Sequence, residues 1–104
     1  MRAVVLLPCV LAACAQTQAA VDDIARRSAK AAVAETLTTR LPFVPQASVT
    51  PFTDCIIDNA SAREIARFAQ DAVTGVDDQT VALTQEVLAR PATTQCIAST
   101  ALAA

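Results

Sequence analysis

Asp54 and Asp58 stand one helical turn apart, with Cys55 between them and Asn59 and Ser61 directly behind. Two carboxylates and an amide on one face of a turn could hold a hard cation weakly. The competing reading gives the carboxylates to the solvated surface and Ser61 to the start of the next helix, and it is the favoured one. Two further acidic pairs, Asp22-Asp23 and Asp77-Asp78, each open a predicted helix, where capping and the helix dipole account for them. Composition removes most other chemistry. The chain has no His, so Ser-His-Asp and Cys-His sites are excluded, as is any His-containing metal motif. Its single Gly cannot build a glycine-rich phosphate loop. No catalytic residue, metal or cofactor is expected, and a hydrolase working through Asp54 and Asp58 is the least favoured of the functions considered.

The cysteines at positions 9, 14, 55 and 96 say more. Met1 to Ala13 combine a cationic Arg2, an apolar run from Ala3 to Leu11 and the small residues Ala12 and Ala13, which are the parts of a secretory signal. The run is too short for a bilayer span, which takes roughly 20 residues. Leu11-Ala12-Ala13-Cys14 resembles a bacterial lipobox, with an aliphatic residue three positions before the Cys and small residues in the next two. Cys9 fails the same test because Pro8 occupies a small-residue position. The resemblance implies cleavage before Cys14, diacylglycerol on its thiol and an acyl chain such as palmitate on the new α-amine. One chain binds a membrane only marginally, whereas two or more make a durable anchor. The alternative is cleavage at Ala13-Cys14-Ala15, or near Gln18-Ala19-Ala20, to give a soluble periplasmic protein. Ala15-Gln16 contains no aspartate of the kind associated with inner-membrane retention, so attachment to the outer membrane, facing the periplasm, is slightly favoured over the inner membrane.

Loss of 13 residues from 104 leaves 91, enough for one small domain that is marginal on core size alone. Arg2 leaves with the signal, so seven cationic side chains face ten carboxylates. A mildly acidic chain carries no footprint for nucleic acid or anionic lipid head groups. The local cluster Arg26, Arg27 and Lys30 reads as a solvated helix face. With Cys9 removed and Cys14 lipidated, Cys55 and Cys96 remain, and an even remainder in an oxidising envelope reads as a disulfide. Closing a loop of about 40 residues removes roughly 4 kcal/mol of unfolded-chain entropy. A metal site would need more ligands than two distant cysteines can offer.

The elements that must position these residues are helical. From Ala19 to Thr38 the chain is alanine-rich without Gly or Pro, and Val21, Ile24, Ala25, Ser28 and Ala32 form one stripe. Val33 and Leu37 fall off that stripe, so residues 14–39 read as a lipidated tether with a loosely attached helix. Pro42, Pro45 and Pro51 make residues 40–53 a connector. Leu41, Phe43 and Val44 there, with Val33 and Leu37, are expected to stay partly exposed as an interaction face on the membrane-proximal side. Residues 54–104 read as a compact, disulfide-closed helical unit. In it, residues 54–59 form one or two helical turns or a brief strand. Ser61 and Glu64 form a capping box before the stripe Ile65, Phe68, Ala69, Ala72 and Val73. Gly75 suits a left-handed cap. Asp77 or Asp78 caps a helix whose face is Thr80, Leu83, Thr84, Val87 and Leu88, and Pro91 can begin another that runs to Ala101 and carries Cys96 and Ile97 inward. The fold expected is all-α: an αα-hairpin with short flanking helices, one disulfide, and an alanine-rich helix in front.

The stretch Cys55-Ile56-Ile57-Asp58-Asn59-Ala60-Ser61, with Thr74-Gly75, Arg90-Pro91 and Cys96-Ile97, is similar to small envelope lipoproteins of alphaproteobacteria, some of which bear a succinate dehydrogenase label. That resemblance implies an envelope lipoprotein and no particular activity. The label has no support in the residues, since a chain this short cannot enclose a flavin and two cysteines cannot hold a four-thiolate iron–sulfur cluster. The role expected is structural or in protein–protein interaction. Its partners would be the bilayer, through acylated Cys14, and an envelope protein, with no nucleic acid and no metal. The alternative is a small accessory subunit on the periplasmic side of a membrane enzyme complex.

Overall fold

The computed structural model describes residues 22–103, and these are all-helical, with no strand among them. Helix α1 covers 22–39, a 3-10 turn covers Gln46–Ser48, and helices α2 to α5 cover Val49–Asp58, Ala62–Thr74, Asp78–Leu88 and Pro91–Ala103. Cys14 and the signal-like segment lie outside the described residues.

Helix α1 forms because alanine has the best helix propensity and nothing in 22–39 breaks the run. Its inward face is Ala29, Ala32, Val33, Thr36 and Leu37, all fully buried. This corrects the expected stripe: Ile24 is 62% exposed, whereas Val33 and Leu37 sit in the core. The reading of this helix as a loose tether is corrected with it. Alanine suits either side of a helix, so an alanine-rich period is degenerate, and packing decides which face turns inward. Thr36 avoids a buried orphan by donating its hydroxyl to the Ala32 carbonyl at 2.8 Å.

The prolines interrupt helix only over the first part of the connector. Pro51 falls in the first turn of α2, where backbone N–H groups have no intrahelical partner to lose. The helix therefore starts at Val49, and residues 54–59 complete it rather than forming a strand. Helix α2 buries Val49, Thr53, Cys55, Ile56 and Ile57.

The capping box of α3 is present: Ser61 Oγ accepts from the Glu64 N–H, and Glu64 Oε1 accepts from the Ser61 N–H at 2.7 Å. Phe68 is fully buried at the centre of the inward face, with Ile65 and Ala69 partly buried beside it. The expected stripe is corrected at its end, because Val73 is 85% exposed and the buried residue of the last turn is Asp71. Gly75 closes the helix at φ +109° and ψ 144°. That is an extended positive-φ conformation open to glycine, not the left-handed helical cap expected. Asp77, not Asp78, caps α4 by accepting from the Thr80 N–H at 3.0 Å. Helix α4 buries Thr80, Thr84 and Val87. Pro91 begins α5, and Cys96 on it is bonded to Cys55 on α2 with Cα atoms 5.7 Å apart.

Candidate functional site

The acidic residues of α2 are spent on α1. Lys30 Nζ lies 3.1 Å from Asp54 Oδ1, and Arg26 Nη2 lies 2.8 Å from Asp58 Oδ1. Cations four residues apart on one helix meet carboxylates four apart on the other, in reverse order, so α1 and α2 run antiparallel. These side chains are all well exposed, and such pairs contribute about 0.2–1 kcal/mol each. Their effect is on register more than on stability. The cluster read as a solvated basic face is thereby corrected at two of its three members; among the described residues Arg27 pairs with Asp23 on its own helix. Asn59 gives its amide to the Cys55 carbonyl at 2.8 Å, and Ser61 serves the α3 cap. Among the described residues no three His, Cys, Asp or Glu side chains converge as metal ligands would.

The best organised polar group joins Arg90 to Glu64. Arg90 Nη2 donates to Glu64 Oε2 at 2.6 Å and Nη1 to Oε1 at 2.9 Å, and Nη1 also donates to the Asn59 carbonyl at 2.9 Å. One guanidinium thus ties the end of α4 to the start of α3 and to the α2–α3 corner. Hydrogen bonds from Arg90 and from the Ser61 backbone pull the Glu64 carboxyl down from 4.5 to about 2, against the opposing effect of partial burial. The same pair raises the Arg90 guanidinium above its ordinary value. The sequence gives the capping role of Glu64, since that partner is three residues away, but not its ion pair, whose partner is 26 residues away.

A second network surrounds Asp71, which is 3% exposed. Its Oδ2 accepts from the Thr80 hydroxyl at 2.8 Å, and its Oδ1 lies 3.2 Å from Arg67 Nε. Arg67 also donates to Gln79 Oε1 at 2.6 Å. The N–H of Thr80 holds the Asp77 carboxyl below its ordinary value. Thr80 therefore serves both the cap of α4 and the buried carboxylate, and each group of the network is used on another. Sequence reading missed Asp71, because an aspartate between Gln70 and Ala72 gives no sign that it faces inward. Thr80 and Asp71 are both buried, and their bond joins α4 to α3.

Of the three residues expected to form an interaction face, Leu41 and Val44 are in the core, and Phe43 alone is outside, at 67% exposure. The backbone explains the split: Val44 N–H bonds to the Leu41 carbonyl at 3.1 Å, making a turn that directs both flanking side chains inward. The face was also expected on the membrane-proximal side. Helix α1 rises about 26 Å from 22 to 39, so Phe43 lies at the opposite end of the bundle from residue 22. Arg40, 3.2 Å from Asp78, marks the same end. At the residue-22 end a half-open groove of about 470 Å³ is lined by Asp22, Arg26, Ile65 and four alanines. Among the described residues its charged groups are Asp22 and Arg26, and Arg26 is paired with Asp58.

No family model matches the chain, and no curated protein or solved structure is similar to it. No helix among the described residues is long and apolar enough to cross a membrane.

Proposed function

We propose that the chain is a lipid-anchored, periplasm-facing envelope protein whose helical bundle works by structural or protein–protein contact. Leu11-Ala12-Ala13-Cys14, set behind Arg2 and a short apolar run, is the observation that carries this reading. A Cys55–Cys96 bond supports an oxidising compartment. The polar networks support a non-catalytic role, since their members are occupied in capping helices and joining them. Asp22 lies eight positions after Cys14, a reach of at most about 28 Å. An acylated Cys14 would therefore hold the bundle by the end at which α1 starts, with Phe43 directed away from the bilayer and toward an envelope partner. Intact-mass measurement of protein extracted from membranes in detergent tests the proposal: a chain starting at Cys14 with added diacylglycerol and acyl mass is expected. An unmodified chain starting beyond Cys14 would overturn it.

A further inference from the structure

The groove at the residue-22 end, about 470 Å³ and half-open, is walled mainly by hydrocarbon. Helix α1 gives Ala25, the α2–α3 corner gives Ala60, and α3 gives Ala62, Ile65 and Ala66. The space is there because alanine side chains stop at Cβ, and Ile65 is left only partly buried. Of the two charged residues that complete the lining, Arg26 is held by Asp58 at 2.8 Å. Water in the groove therefore finds few polar partners, and apolar cavities favour hydrocarbon over water. Alanine walls offer no pocket for a particular side chain; they suit an unbranched chain, which needs only length and cover. The Asp22 carboxylate repels the charged head of a free fatty acid. An ester- or amide-linked chain carries no such charge.

We propose, on the reading that Cys14 is lipidated, that this groove seats one acyl chain of the protein's own anchor. Asp22 lines the groove and stands eight positions after Cys14, so a connection of at most about 28 Å brings the anchor back to it. Such a tether holds the chain at an effective concentration on the order of millimolar, an advantage that no untethered occupant has. The anchor's two other chains stay in the bilayer, enough for durable attachment. Moving one chain from bilayer to groove exchanges one apolar surrounding for another. It also takes the groove's apolar wall out of water, which the bilayer alone does not do. The bundle is thereby pinned to the membrane at its α1–α3 end, with Phe43 held at the other.

The native lipoprotein, with acyl chains labelled by feeding isotopic palmitate and held in perdeuterated detergent, tests this by carbon-edited nuclear Overhauser spectroscopy. Contacts from acyl methylenes to the Ile65 methyl groups are expected. Ile24, 62% exposed and outside the groove lining, is the control and should show none. Ala66→Trp, at an exposed position where the ring would fill the groove, should abolish the Ile65 contacts and leave the helical melt unchanged. Equal contacts at Ile24 and Ile65, or contacts that survive Ala66→Trp, would mean that lipid merely bathes this end and would overturn the seat. Contacts of equal strength in Cys14→Ser protein, given labelled phospholipid at the same acyl concentration, would assign the groove to bilayer lipid and overturn the claim for its own anchor. Acyl mass on Cys14 without Ile65 contacts would overturn this inference alone, whereas an unmodified mass would overturn the anchoring reading and this inference with it.

Discussion

Arg90 and Glu64 form a fork-to-fork ion pair, 2.6 and 2.9 Å across its two limbs, in which the carboxylate also caps the helix it belongs to. Bidentate pairs of this kind are stronger and more directional than ordinary surface bridges, and the Glu64 side chain is 16% exposed.

Its pH signature follows from the sign of the shift. The folded carboxyl sits at about 2 against an ordinary 4.5, so its contribution is complete above about pH 4.5 and is lost as pH falls toward 2. The size expected is about 3 kcal/mol, given the shift from 4.5 to about 2. Glu64→Gln should lower stability by about that amount at pH 7 and flatten the acid limb between pH 4.5 and 2. Urea unfolding at a series of pH values reads both effects; an acid limb of unchanged slope would show that other carboxylates govern it.

Leu37 is buried although the sequence places it off the inward stripe, whereas Phe43 is exposed as expected. Leu37→Ala should cost about 2 to 5 kcal/mol and Phe68→Ala about 3 to 5, because both side chains are fully buried. Phe43→Ala, at an exposed position, should stay within about 0.5 kcal/mol while reducing capture of an envelope partner in a detergent pull-down. Thermal unfolding of the three variants beside the pull-down makes the comparison, and severe unfolding by Phe43→Ala would return that ring to the core.

Cys55 and Cys96 close a loop across α3 and α4, with 41 residues of separation. Non-reducing digestion should yield the linked peptide. Cys55→Ala should lower the free energy of global unfolding by about 2 to 4 kcal/mol, chiefly by enlarging the unfolded ensemble. Two freely alkylated thiols in acid-quenched cells would contradict it.

Anchoring makes the simplest genetic prediction. Cys14→Ser should abolish lipid labelling and move the protein from the membrane to the soluble fraction, with the bundle's helical signal unchanged. Persistence in the membrane fraction would point to attachment by a partner.

The sequence by itself determined the helical class and most helix ends. Ser61, Glu64, Gly75, Asp77 and Pro91 act within three or four residues of where they stand, through caps and a ring that fixes φ, so their meaning is local and readable. The cysteine pair was readable by elimination. Only the tertiary structure decided which side of α1 turns inward, because alanine has no preferred side and the choice falls to Val33 and Leu37 meeting the apolar face of the other helices. It also decided that Leu41 and Val44 are core while Phe43 is not, that Asp71 is buried, and that Glu64 meets Arg90. The Glu64–Arg90 pair and the packing of α1 depend on partners far along the chain, and no local pattern of charge or hydropathy encodes which distant surface a side chain will meet.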